Sequence, residues 1–278
     1  MSETPGQYER VIGPPRGLGL DIGELWACRE LLAALAKRSI LARYKQTVMG
    51  MLWAVVRPVA MMGLGTLVFG RLFGLSGDSE RYSLAVLAGV LVWLLFSQCL
   101  TGCVNSLVTG AEMVRKVYFP RLILPASACA TALVDFLVGV GVLAVVMAAQ
   151  QHGPSLRALT LPLWAMLAVI AALGPGLWLA ALNARYRDVM HVVPFLINIG
   201  LFVSPVFYVT SARVASSWRP LYALNPMVAV IDGFRWAILP DAVLSPLPLA
   251  ISLAVAAVLF VSGVMFFQYM QRVFADVI

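Results

Sequence analysis

Six stretches of this chain are apolar for long enough to cross a lipid bilayer, and no other feature restricts its fold so strongly. They run over residues 51–75, 82–105, 123–149, 161–182, 192–210 and 247–270. A helix rising 1.5 Å per residue needs about 20 largely apolar residues to traverse about 30 Å of hydrocarbon. Each window supplies that length. Of the 278 residues, 61% are hydrophobic and 12% charged, against about 45–50% and 25% in soluble domains. The expected fold is therefore an all-α integral membrane protein with six transmembrane helices.

An even number of spans places both termini on one side. Residues 1–50 mix acidic with basic residues and contain no apolar segment ahead of a small-residue cleavage site, so they do not read as a signal peptide. With the termini in the cytoplasm, the inner segments hold fourteen Lys and Arg: eight in 1–57, three in 106–122, two in 183–191, and Arg272. The outer segments hold six: Arg71, Arg81, Arg157, Arg213, Arg219 and Arg235. That excess follows the positive-inside rule. The formal net charge of +7 thus reads as membrane topology and lipid-surface charge, and no basic patch interleaved with aromatics points to nucleic acid.

Cys28, Cys99, Cys103 and Cys129 fall in or near helices, none in an expected outer loop, which argues against a disulfide framework. Two histidines, His152 and His191, lie in different loops, and with them no metal-ligand set forms. Buried packing is the better account of these thiols.

Ahead of the first span, residues 24–45, "ELWACRELLAALAKRSILARYK", carry an apolar stripe at Leu25, Cys28, Leu31, Leu32 and Leu35. The expected organisation is a cytoplasmic tail (1–23), an amphipathic interface helix (24–49) and a membrane domain (50–278). The interface helix is expected in the headgroup plane, its leucines dipped into the acyl boundary and its basic residues near lipid phosphates. Gly50 allows a change of direction into the first span. Arg57 then lies about 10 Å along that span, close enough to snorkel back to the interface, and Pro58 beside it removes a helical hydrogen bond.

"RYKQTVMGMLWAVVRPVAMMGLGTLVFGRLF" (43–73) resembles the first-span signature of the permease subunits of type-2 ABC exporters for polysaccharides. The resemblance continues in order through "VRKVYFPRLILPASA" (114–128), "ALNARYRDVMHVVPFL" (181–196), "SPVFY" (204–208) and "LNPMVAVIDGFRWAIL" (224–239). It covers nearly all of the chain from residue 24. One departure is Arg38-Ser39, where the family often has Arg-Asp.

The resemblance implies a transport subunit rather than an enzyme. Such a subunit is expected to export lipid-linked polysaccharide such as O-antigen across the bacterial inner membrane, as two copies with two ATPase subunits. The chain has no G-x-x-x-x-G-K-[ST] phosphate loop, so no cofactor is expected in it, and ATP and Mg belong to the partner. In the family the loop after the second span is a coupling helix that fits the ATPase. Here that implies Glu112, Arg115 and Lys116 on a short helix near 107–117, braced by Tyr118 and Phe119. The second inner loop adds Arg185, Arg187 and Asp188. The alternative for both segments is an ordinary positive-inside loop.

Residues 210–246 are too long for a turn and too interrupted for a span. Two short apolar helical pieces, near 214–223 and 227–239, flank Asn225-Pro226, and re-entrant gate helices between spans five and six suit them. Aromatic rings stack on sugar faces and seal pores, which makes Phe202, Phe207, Tyr208, Tyr222, Phe234 and Trp236 the candidate lining. An interfacial aromatic belt would use the same residue types. On the inner side, Arg43, Lys45 and Arg57 suit the anionic head of a lipid-linked glycan.

Asp135 lies about twelve residues into the third span, where an acid costs about 2.5–3.5 kcal/mol on insertion scales unless paired or protonated. A structural hydrogen bond to a neighbouring helix is the leading reading, with Arg57 a candidate partner. A proton-relay role would instead point to a secondary transporter driven by an ion gradient. Against that alternative, the chain halves show no evident inverted repeat. A membrane-embedded enzyme is weaker still, for want of paired carboxylates, a His cluster or a nucleophile beside a base.

Overall fold

The computed structural model describes residues 22–45, 50–74, 79–116, 119–153, 155–186, 188–210, 214–215 and 217–271, and the regular elements among them are all helical. In chain order they are α1 (Ile22–Ala27), α2 (Arg29–Lys45), α3 (Gly50–Gly65), α4 (Ser79–Thr109), α5 (Ala111–Lys116), α6 (Ile123–Ala149), α7 (Leu161–Arg185), α8 (Val189–Val203), α9 (Arg219–Tyr222), α10 (Pro226–Ile238) and α11 (Pro246–Met270). Apart from Ile22 and Gly23, the expected N-terminal tail lies outside the described residues.

Among the described residues, five helices are long and apolar enough to cross a membrane: α3 with its continuation, α4, α6, α7 and α11. The sixth expected window, 192–210, departs from expectation. It yields α8, with 15 residues and thus about 22 Å of rise. The chain leaves the helix at Ser204, whose ψ of 153° is extended, because the proline that follows disfavours the α region at the residue before it. In α3 the helix passes through Pro58 uninterrupted and changes instead to π geometry at Thr66–Leu72.

α4 is the central element, packed most extensively against α6 and α7 and also against α3, α8 and α10. Its Leu84, Leu87, Leu91 and Leu95 share a core with Phe136 of α6, Ala168 and Ala172 of α7 and Phe234 of α10. With lipid outside, helices gain little from hydrophobicity alone and associate by close packing of small residues. α7 supplies Ala168, Ala171, Ala172, Ala180 and Ala181, all fully buried. Where α7 crosses α11, a Cβ on Gly174 would come 2.8 Å from the Leu259 backbone, so only glycine permits that approach.

A second cluster marks one end of the bundle. It joins Leu107 of α4, Ile123 of α6, Leu177 of α7 and Phe267 of α11, and Leu31, Leu32 and Leu35 of α2 pack against it. The leucine stripe expected to dip into lipid thus meets protein, and α2 runs lengthwise along α6. Apolar surface on neighbouring helices offers the stripe tighter packing than acyl chains do. The Leu25 side chain is outside the described residues. Asn183 Nδ2 donates to Val104 O at 3.1 Å, and Arg121 Nη1 donates to Gln271 O at 2.6 Å, tying the same end. At the opposite end Gln150 Nε2 donates to Ser83 Oγ at 3.1 Å, Arg157 Nη1 donates to Pro240 O at 3.3 Å, and Arg81 pairs with Asp241. These ties fix an alternating order in which α6 runs away from the first end while α4, α7 and α11 run toward it.

Candidate functional site

The last turn of α2 meets α6 halfway along its length. Arg43 Nη2 lies 2.6 Å from Asp135 Oδ2, with the Asp135 side chain 8% exposed and that of Arg43 45% exposed. Tyr44 donates its phenolic O–H to the other carboxylate oxygen. Burial, that hydrogen bond and the charge of Asp135 push the Tyr44 phenol up to about 12, so it remains a donor. Asp135 therefore has two partners on α2, and Arg57, the partner expected from the sequence, is not among them. Arg43 and Tyr44 can reach this carboxylate because α2 packs along α6.

Beside this pair is a cavity of about 200 Å³ lined by Arg43, Trp53, Arg57, Pro58, Gln98, Asp135 and Phe136 together with apolar residues of α4 and α6. Arg57 is exposed, and among the described residues it has no ion-pair or hydrogen-bond partner. Gln98 Oε1 is buried and has no hydrogen-bond partner among them. An amide can turn either its oxygen or its NH2 inward. The cavity thus combines an unpaired guanidinium and an unsatisfied amide with aromatic and aliphatic walls. Two of the three basic residues expected at this place, Arg43 and Arg57, come together there. Lys45 is exposed and does not line it.

At the far end, the segment between α8 and α10 is organised by one buried cation. Arg235 is 2% exposed; its Nε donates to Ala85 O at 2.8 Å, Nη1 to Tyr208 O at 2.8 Å and Nη2 to Val206 O at 2.7 Å. The Ala85 carbonyl lies within α4, whereas those of Val206 and Tyr208 lie in the bend after α8, past the end of the helical ladder, and receive their donors from the guanidinium in an apolar setting. Asp232 lies 3.8 Å away. Tyr82 donates to Phe207 O at 2.6 Å. Asn225 caps α10 through Met227 N at 3.0 Å and donates to Ser204 Oγ at 2.9 Å. The first expected gate piece is only the four-residue α9, and the second is α10.

The candidate aromatic lining separates into three groups. Phe202 is exposed and Tyr208 and Tyr222 half-buried, their hydroxyls 2.6 Å apart, with Tyr222 donating to Val203 O at 2.7 Å. Trp236 is half-buried under the Arg157 guanidinium, 5.0 Å from its ring centroid. Phe207 and Phe234 are core residues. Phe207 stacks on Phe69 at 4.9 Å, while Phe234 is fully buried against Phe136. Phe234 therefore presents no surface to a path, because the apolar face of α10 that carries it is turned onto α4 and α7.

Of the coupling candidates, Glu112 and Lys116 stand exposed on α5, 3.9 Å apart. Arg115 lies on the same helix with its side chain outside the described residues, as is Tyr118 entirely. Arg185 lies over the Tyr186 ring at 5.3 Å, Asp188 is exposed, and Arg187 is outside the described residues. The Asn183–Val104 hydrogen bond places the α4–α5 and α7–α8 connections at the same end of the bundle.

Tyr44 and Gln98 had no role in the sequence reading, and Arg235 entered it only as one of the outer basic residues. Arg235 was legible in principle, being an arginine inside an apolar helical piece three residues from Asp232.

With this geometry in place, comparison with known proteins adds a second line. The model of the family described as ABC-2 type transporter matches residues 30–239. The chain is 28% identical to the O-antigen export system permease protein RfbA of Myxococcus xanthus, over 92% of this chain and 98% of that protein. A Klebsiella pneumoniae protein of the same name is 23% identical over 90% of this chain and 95% of its own length. The polysialic acid transport protein KpsM of Escherichia coli is 24% identical over 74% of this chain and 80% of its own.

Proposed function

Since the chain belongs to the ABC-2 type transporter family, we propose that it is the membrane-spanning subunit of an ATP-driven exporter that moves lipid-linked polysaccharide, most simply of O-antigen type, out of the cytoplasm. The observation that carries this reading is similarity along nearly the whole length of permeases named for O-antigen export. ATP and Mg are held by a separate nucleotide-binding subunit. Two copies of this chain pair about a central path, the commonest symmetry for an oligomer.

In this reading α8 makes the fifth of six crossings of the bacterial inner membrane, with both termini cytoplasmic and the Lys and Arg excess inside. α5 and the α7–α8 connection, gathered at one end, receive the ATPase. The cavity at Arg57 meets the anionic lipid head, with Lys45 exposed nearby in sequence. Phe202, Tyr208, Tyr222 and Trp236 stand at the outer end, where α9 and α10 act as gate helices. Asp135, already engaged by Arg43 and Tyr44, acts as a structural ion pair, which removes the main support for a gradient-driven carrier.

The test is removal of the chain from its own bacterium. Loss of surface polysaccharide with polymer retained inside the cell supports the proposal. Unchanged surface polysaccharide contradicts it.

A further inference from the structure

We propose that Asp135 competes with the anionic head group for Arg43, so that occupation of the Arg57 cavity loosens α2 from α6. The inference rests on the head-group reading above and adds to it a trigger and a direction.

Arg57 and Arg43 line one cavity, yet their electrostatic states differ. Arg43 is compensated by a carboxylate at 2.6 Å, whereas Arg57, although Asp135 lines the same cavity, has no ion-pair partner among the described residues. Arg57 is therefore the resident cation, and it makes the first contact with a phosphate. A diphosphate carries more than one charge and presents several acceptor oxygens, so a single guanidinium leaves it undersatisfied. The nearest additional fork of donors is Arg43, which is half exposed and lies in the last turn of its helix. Guanidinium groups bind carboxylate and phosphate oxygens with the same bidentate geometry, so the exchange replaces one acceptor by another. Asp135 is left with the Tyr44 hydroxyl alone.

The ion pair also bridges two elements, because Arg43 belongs to α2 and Asp135 to α6. Its loss reduces the polar joint at the end of α2, the helix that leads into α3, to the single Tyr44–Asp135 hydrogen bond. A ligand shifts a conformational equilibrium only by its differential affinity for the two states, and the swap of Arg43 from Asp135 to phosphate is that difference. Arrival of substrate thereby loosens the helix that precedes the first span.

The experiment uses the chain in nanodiscs together with its ATPase partner, and the probes are farnesyl pyrophosphate and farnesol. Three affinities for the pyrophosphate are compared. R57A is expected to weaken binding by about tenfold or more. D135N removes the competitor and is expected to tighten binding roughly fivefold, a gain that disappears in R43Q/D135N. Hydrogen exchange on the unmodified complex supplies an independent readout: farnesyl pyrophosphate, and not farnesol, should increase exchange in residues 36–45.

Weakened binding in R57A with unchanged or weaker binding in D135N overturns the competition while leaving the head-group site standing. Unaltered binding in R57A overturns the head-group reading itself. Should D135N fail to fold, pyrophosphate-independent exchange in residues 36–45 of the unmodified complex overturns the loosening of α2.

Discussion

Gly89 of α4 leaves the space that the guanidinium of Arg235 fills. A Cβ at position 89 would lie 2.8 Å from Arg235 Nη2 and 2.7 Å from Val206 O, closer than real Cβ atoms approach. G89A should therefore displace Arg235 from the bend after α8 and cost about 1–3 kcal/mol. Thermal unfolding of the detergent-solubilised protein measures this, and an unchanged midpoint would show that the bend tolerates a shift.

Arg235 itself holds three carbonyls from two elements. R235A removes the donors to Val206 O and Tyr208 O in the bend and leaves Asp232 without its neighbouring cation, at an expected loss of about 3 kcal/mol or more. R235K should recover only part of the loss, since an ammonium cannot reproduce the fork. Both variants are read in the same unfolding assay.

Phe202 and Phe234 should separate path from core. F234A empties a fully buried site and is expected to cost about 3–5 kcal/mol. F202A, at a position 61% exposed, should leave the unfolding midpoint in place and slow export. The opposite pattern would mean that Phe202 packs in the assembled transporter while Phe234 does not support the fold.

Tyr44 gives a pH test. Its folded-state phenol is pushed up to about 12, from an unfolded value of 10.0, so the stabilisation from its hydrogen bond is fully present below pH 10 and is lost as the pH rises toward 12. Y44F should lower stability equally at pH 6 and pH 9. A difference that changes within that window would indicate that the Tyr44–Asp135 pair titrates near neutrality, as a proton relay would.

Glu112 and Lys116 are both exposed on α5, so the proposed coupling role can be tested apart from folding. E112R/K116E should leave the unfolding midpoint unaltered and reduce recovery of the ATPase subunit at least fivefold in co-purification. Full recovery would shift the coupling role to Arg185 and Asp188.

Much of the fold was legible because a membrane simplifies the physics. Windows such as 123–149 and 247–270 coincide with α6 and α11 to within a residue, since apolar length alone specifies a spanning helix. α8 was overestimated because residues 204–210 are as apolar as a span, while Pro205 ends the helix. The site was less legible. Arg43 and Arg57 were identified as basic residues in an apolar context, but pairing depends on the path of α2, which sequence periodicity does not reveal. A leucine stripe suits a lipid face and a protein face equally well. Phe234 was misplaced for the same reason, since an aromatic residue near a membrane end packs inward or outward according to which helix faces it.

The central claim is that this chain works with a separate ATPase, and co-purification from the native membrane tests it most directly. The tagged chain should retain a nucleotide-binding subunit in equal amount, with ATPase activity in the complex. Recovery of the chain alone, without an ATPase, would contradict the account.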